Sequence, residues 1–366
     1  MAHRYTVLGA GRQGTSAAYD LAKNGDAERV LITDIQETSA KASAKRINDL
    51  LGSNRVVAKQ LDVADRRSLL SIFTETEVVV SAVPFYRNLE IAKCALEAGT
   101  SMTDLGGHTD TVFQELEMDA AAKEKGITIV PDCGMVPGLG TSVCMYAMSL
   151  VEEPREVYLY DGGLPQDPQE PWKYILTFHF EGLVNEYYGT TEFLRDGKIV
   201  NVPCFEEYEF LEFPEPIGTL EAVTTAGGTS SAPRTFLGKL RAYENKTLRY
   251  PGHFAQWKAF RDAGFFETDS VQVKGESVRP RDVLAAVLDP KIRAKKASKM
   301  CASSAENVWE RLKPWWIFLT ITMRQQDSLQ WSALPGGMRR LWRFSLLAAR
   351  SGKAQCQWSL LHPANV

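Results

Sequence analysis

The chain has 366 residues, 44% hydrophobic and 24% charged, the composition of a soluble globular protein whose length fits two domains better than one core. A net charge of −3, with Lys and Arg scattered and no interleaved aromatics, leaves no electrostatic footprint for nucleic acid or an anionic membrane. The six cysteines lie far apart without a C-x-x-C pair, no apolar run approaches the ~20 residues of a membrane span, and the first strand starts at once. The expectation is a cytoplasmic protein with reduced thiols, no metal site and no membrane partner.

Strand and helix alternate through the first third of the chain. Strands are predicted at residues 5–8, 29–33, 55–60, 77–81, up to Asp104-Leu105, and at 127–130. Helices fall between them at 14–22, 39–51, 66–72, 89–98 and 111–124. That rhythm predicts an α/β fold with a doubly wound parallel sheet over residues 1–138. Ligands of such sheets sit at the carboxyl ends of the strands, so Asp62, 81–84, 104–108 and 132–134 should border one crevice.

The first strand runs into Gly9-Ala10-Gly11-Arg12-Gln13-Gly14, and an acid, Asp34, ends the second strand 20 residues after the last glycine. In this context Gly9 makes the tight turn, Gly11 lets backbone approach a pyrophosphate, and Gly14 lets helix and strand pack closely. The helix start directs unpaired N–H groups at the phosphates. A carboxylate at Asp34 accepts ribose hydroxyls and repels a 2′-phosphate, and the following Ile35 and Gln36 bring no cation, so the reading is NAD. The nucleotide set is Gly9, Gly11, Arg12, Gln13, Gly14, Asp34, Asp62, Val63, Ala82, Val83 and Gly106.

After Pro137-Gly138 the pattern changes. Aromatic and β-branched stretches at 156–160, 172–180, 199–212 and 221–225 predict an open, mainly antiparallel sheet in an α+β substrate and dimerisation domain, residues 139–312. A homodimer or homotetramer is expected. From Lys313 onward there are seven Lys or Arg against one acid, Asp327, and five of the eight Trp. A basic amphipathic helix over 338–350 is the lesser reading of this stretch; 324–366 reads foremost as an atypical tail of the kind a shifted reading frame produces.

An ordered series of motifs carries a resemblance. It begins with Asp104-Leu105-Gly106-Gly107-His108 and Pro131-Asp132-Cys133-Gly134-Met135-Val136-Pro137-Gly138. It continues through Gly162-Gly163-Leu164-Pro165, Phe178-His179-Phe180-Glu181-Gly182-Leu183 and Gly227-Gly228-Thr229-Ser230-Ser231. Arg234-Thr235-Phe236, Lys246-Thr247-Leu248-Arg249-Tyr250-Pro251-Gly252-His253 and Val278-Arg279-Pro280-Arg281-Asp282 complete it. Over roughly residues 4–290 the chain resembles the saccharopine dehydrogenase-like family, and within it the lysine 6-dehydrogenase branch. The resemblance implies NAD-dependent oxidative deamination of the lysine ε-amine, with a C-terminal segment from about 313 that rejoins the nucleotide domain. Cys133 departs toward the saccharopine reductases, which keeps a saccharopine dehydrogenase or reductase open as the alternative. The family pattern fades after about Met323, which leaves a non-catalytic nucleotide-binding protein as a reading of another class.

Amine oxidation needs a base, since only the neutral amine can form an iminium. Asp104, His108, His179 and Glu181 are the candidate bases and amine binders. His108, after two glycines at a strand end, should face the crevice. His179, in an aromatic stretch, reads equally as a core histidine, and Asp104 equally as a helix cap. Arg234 and Arg249 are placed to grip an amino-acid carboxylate bidentately, with Gly227–Ser231 as a possible backbone-amide nest. Cys133 and Gly134 should wall the substrate.

Overall fold

A computed structural model describes residues 2–165, 167–213, 215 and 217–293, and the backbone of three further strands at 315–325, 341–349 and 355–360. Two compact units divide after Gly138.

In the first unit the elements are β1 (His3–Leu8), α1 (Arg12–Asn24), β2 (Ala27–Asp34), α2 (Glu37–Leu51), β3 (Val56–Gln60), α3 (Arg66–Phe73), β4 (Val78–Ser81), α4 (Asn88–Ala98), β5 (Ser101–Asp104), α5 (Thr109–Leu116), α6 (Asp119–Lys125) and β6 (Ile129–Val130). The strands form a six-stranded parallel sheet in the order β3-β2-β1-β4-β5-β6, with Val7 level with Ile32 on one side and Val80 on the other. Alternation along β1 explains the two covered faces. Val7 packs with Ala18, Ala22 and Ile47 from α1 and α2, while the next residue, Leu8, packs with Leu69, Phe73 and Ile91 from α3 and α4. The single helix predicted at 111–124 is two helices, α5 and α6.

The second unit contains α7 (Leu139–Ser149), β7 (Pro154–Pro165), α8 (Phe180–Glu186), β8 (Thr190–Arg195), β9 (Lys198–Pro203), β10 (Glu209–Glu212), β11 (Thr219–Val223), α9 (Ala232–Thr235), β12 (Ala242–Arg249), α10 (His253–Asp262), β13 (Val271–Val273), β14 (Glu276–Val278), α11 (Pro280–Ile292), β15 (Trp315–Gln325), β16 (Leu341–Ala349) and β17 (Gln355–Leu360). Its large sheet runs β10-β11-β12-β7-β15-β16-β17, with β8 beside β12 and β9 beside β8; β7 and β12 are parallel and the other pairs antiparallel.

Helices α8, α10 and α11 bury Phe180, Leu183, Phe254, Trp257, Leu284 and Leu288 in one core with Tyr187 and Phe266. Glu221, fully buried on β11, accepts the backbone N–H groups of Gly252 at 2.9 Å and Phe254 at 2.7 Å, so a carboxylate sits at the positive end of α10.

Three expectations are corrected here. Residues 172–180 are not a strand: they lead into α8, and their aromatic side chains pack into the core around Trp257. Within 338–350 the described residues 341–349 form strand β16, not a helix. The described strands beyond residue 313 extend the second sheet through the β7–β15 pairing, not the nucleotide sheet. The rest of the tail, and with it the reading-frame question, lies outside the described residues.

Candidate functional site

In the first unit, the turn after β1 is set by backbone. Gly9 has φ +94°, and a side chain there would press on the Ala82 carbonyl at 2.7 Å; a side chain on Gly14 would collide with the Gly9 carbonyl. Gly11 differs: nothing lies within 4 Å of where its Cβ would be, so backbone at the start of α1 is open to a ligand. Arg12 and Gln13 follow in the exposed first turn. Asp34, ending β2, accepts from Ala10 N at 2.9 Å through Oδ2 and from Gln36 N at 2.9 Å through Oδ1. An open helix start beside an anchored carboxylate fits a dinucleotide: phosphates on the first turn, ribose on Asp34.

Beside them, half-buried Val63, Ala82 and Val83 follow the ends of β3 and β4, and Asp62 accepts from Ala64 N at 2.8 Å. A cleft of about 360 Å³ is lined by Ile35, Lys59, Gln60, Leu61, Asp62, Ser68 and Ser71. Lys59 is a cation that reading along the chain missed. It stands level with Thr33 across the β2–β3 pairing, and only that register brings it next to Ile35.

The loops after β5 and β6 form a second cluster. Asp104 is fully buried; its Oδ1 accepts from Gly106 N at 2.6 Å and Asp132 N at 3.3 Å, and its own carbonyl accepts from Cys133 N at 2.8 Å. Burial raises its carboxyl, opposed by the Gly106 and Asp132 amides. The expectation of Asp104 as an accessible base is therefore corrected: sealed from solvent, it organises the loop, and it is not a helix cap.

His108 is the cap of α5. Its Nδ1 faces Thr111 N at 3.4 Å and Thr111 Oγ1 at 3.1 Å, and its ring stacks on Phe85 at 5.2 Å. Gly134 approaches the Leu105 carbonyl, leaving no room for a side chain. Cys133 is exposed, and burial of its sulfur surroundings pushes the thiol upward, away from a thiolate. Asp104, Gly106, His108, Cys133 and Gly134 are thus brought together.

His179, Glu181, Arg234 and Arg249 belong to the second unit. His179 is exposed at the start of α8, with half-buried Glu181 in the first turn, so the reading of a strand histidine is corrected. Arg234, on α9, is exposed and already gripped by Glu192, Nε at 2.8 Å and Nη2 at 2.7 Å, so it is not open to a carboxylate as expected. The Gly227–Ser231 nest is also closed: Gly228 packs on Asn245, and Thr229 and Ser230 are buried.

Arg249 is different. It is buried, donates from Nε to Tyr187 OH at 3.1 Å and from Nη1 to the Leu248 carbonyl at 2.9 Å, pairs with Glu186 at 3.4 Å, and lies over the Tyr174 ring at 5.3 Å. The Tyr187 hydroxyl also hydrogen-bonds His253 Nε2 at 2.9 Å. Burial, then the Arg249 charge, drives His253 well below its ordinary value, so it is neutral. Asp161, fixed by Asn245 Nδ2 at 2.8 Å, is raised to about 6 by burial against the pull of Asn245 and Arg249. Glu186 is raised to about 7 by burial, with Arg249 opposing and Asp161 adding. Its side chain keeps 34% of its surface, so water moderates this rise.

Asp161, Glu186 and Tyr187 escaped the sequence reading because their partners lie tens of residues away. Glu115 had a local signal: it falls one helical turn after Val112, and these two are the buried residues of α5. Among the described residues no group of three or more His, Cys, Asp or Glu side chains could hold a metal, and no helix is long and apolar enough to cross a membrane.

The parallel sheet, its glycine turn and the acid ending β2 define a pyridine-nucleotide-binding α/β protein. Residues 5–130 match the saccharopine dehydrogenase NADP binding domain and residues 134–310 the saccharopine dehydrogenase C-terminal domain. The chain belongs to the saccharopine dehydrogenase-like family. It is 24% identical over 324 residues to saccharopine dehydrogenase (NADP+, L-glutamate-forming) of Saccharomyces cerevisiae, covering 81% of this chain and 66% of that one. It is 23% identical over 278 residues to the mitochondrial alpha-aminoadipic semialdehyde synthase of Rattus norvegicus, covering 72% of this chain and 28% of that protein. The chain thus spans less than two thirds of these relatives. A solved apo saccharopine dehydrogenase (L-Glu forming) from Saccharomyces cerevisiae shares the fold with a TM-score of 0.68, at 17% identity, over 94% of this chain and 85% of that one.

Proposed function

We propose that the chain is a cytoplasmic NAD-dependent dehydrogenase that oxidises the ε-amine of L-lysine to a semialdehyde and ammonia. The observation that carries the reading is the anchored Asp34 carboxylate at the end of β2. Two backbone amides hold it where ribose hydroxyls would donate, and its charge opposes a 2′-phosphate. The choice of substrate rests on the second unit, where Glu186, its side chain 34% exposed, pairs with the one guanidinium of Arg249 and Asp161 adds a second carboxyl behind it. That charge complement suits a substrate with two amines and one carboxylate. A glutamyl arm brings two further carboxylates and would call for more cations.

When bound, the nicotinamide accepts the hydride. The first turn of α1 and Asp34 would hold the nucleotide. His108, its ring set by Phe85 and Thr111, is the group of the loop cluster left to exchange a proton, since Asp104 is sealed. Addition of water to the resulting iminium and loss of the nitrogen give ammonia and the aldehyde.

A second reading, an NADP-dependent saccharopine dehydrogenase, is favoured by the names of the relatives and by Lys59 in the cleft beside Ile35. Reduced-nucleotide formation on lysine, ornithine and saccharopine, each with NAD and with NADP, tests the two. NADH and ammonia from lysine support the first; NADPH and glutamate from saccharopine replace it. Nucleotide binding with no turnover of any amine points to a non-catalytic binding protein.

A further inference from the structure

Beneath the loop cluster lies a feature that the amine chemistry does not use. Glu115, on α5, is 2% exposed, and neither of its carboxyl oxygens has a hydrogen-bond partner; Asp104 Oδ2, equally buried, has none either. The two carboxyls are within hydrogen-bonding reach of each other. Two carboxylates are acceptors only, so a proton standing between the groups satisfies two of the three buried oxygens, one on each carboxyl.

We propose that Glu115 is a positioning residue: in its protonated form it donates to Asp104 Oδ2, and by fixing that carboxyl it holds the Gly106 and Asp132 amides that shape the loops after β5 and β6. The proton belongs on Glu115 because Asp104 Oδ1 already accepts two backbone N–H groups, which favour its ionised form. The charges acting on Glu115 are Asp104 from β5 and Asp132 from the loop after β6, with no cation among them. Helix α4 also packs on α5, but its Glu90, Lys93 and Glu97 are engaged in solvent-exposed ion pairs. Burial, then Asp104 and Asp132, accordingly raises Glu115 from its ordinary 4.5 to about 8.

The sign follows from linkage. The folded chain holds a proton that the unfolded chain releases, so this contribution to stability is complete below about 4.5 and is lost as pH rises to about 8. Any effect on turnover rests on the reading that Gly106 contacts the nucleotide and Gly134 walls the substrate.

The experiment compares the full-length wild type with Glu115→Gln, whose amide donates the same hydrogen bond at every pH. Thermal unfolding is followed between pH 5 and 9, and turnover with NAD and lysine over the same range. The wild type should lose stability more steeply than the variant across this range and lose kcat near pH 8, with KM for NAD little changed; the variant should fold, keep only the shallower slope that Asp161 and Glu186 give, and show no such fall in kcat. Wild-type and variant profiles that superimpose, or a variant that fails to fold, overturn the proposal. The unfolding arm does not depend on the amine reading, so a shallower pH slope in the variant without turnover in either protein upholds the acid pair while contradicting the proposed activity.

Discussion

The backbone N–H of Ala10 donates to Asp34 Oδ2 at 2.9 Å, tying the glycine turn to the end of the second strand. The same carboxylate that would receive the ribose therefore also fixes the turn that would receive the phosphates.

Replacement of Asp34 by Arg should move coenzyme preference from NAD toward NADP by about 1–3 kcal/mol, roughly five-fold to 150-fold in relative affinity. Asp34→Asn should weaken NAD binding with a smaller shift in preference, because one oxygen can still accept from backbone. Lys59→Ala should lower NADP affinity and spare NAD. Calorimetric titration of both coenzymes checks all three, and unchanged ratios would remove Asp34 and Lys59 from the ribose end.

The two arginines should separate cleanly. Arg249→Ala leaves Glu186 and Asp161 near an empty space and should cost about 3–5 kcal/mol of stability, the usual result of removing one partner from a buried charge cluster. Arg234→Ala breaks an exposed pair, the arginine side chain being 54% open, and should cost no more than about 1 kcal/mol and leave KM for lysine within about five-fold. Urea unfolding with steady-state kinetics measures both. A large KM increase in the Arg234 variant alone would reverse the assignment.

The acid side of the stability profile should carry the signature of His253. Folding lowers its pKa, so its contribution is complete above about 6.5 and is lost as pH falls, because only the unfolded chain takes up the proton. Asp161 and Glu186 are raised, to about 6 and about 7, and act in the opposite sense, losing their contribution as pH rises. The difference between wild type and His253→Gln isolates the histidine, which is faced by Tyr187, Tyr174 and Arg249. The variant's unfolding temperature should fall less steeply between pH 6.5 and 5; parallel profiles would show that His253 takes up its proton in the folded state.

The nucleotide unit was legible because its signals are local. Continuous apolar strands, a glycine turn and an acid at fixed spacing each follow from a few neighbouring residues, and β2 ends on Asp34 as read. The second unit is built from distant pairings. Trp172, Tyr174 and Phe178 have strand-forming side chains, yet they serve a helical core, because β propensity records fit to a half-buried surface and not a backbone commitment. Strand β12 was passed over since Glu244, Asn245 and Lys246 look like loop residues. Arg195, Asp161 and Glu209 satisfy them from other strands. The same distance hid the occupation of Arg234 by Glu192.

The most direct test of the proposed reaction follows a heavy-nitrogen label placed on the ε-amine of lysine. Incubated with the full chain and NAD, labelled lysine should release labelled ammonia in equal amount to the NADH formed, and no glutamate. Label retained in lysine without NADH, together with glutamate and NADPH formed from saccharopine and NADP, would contradict the account and assign the chain to the secondary-amine reaction.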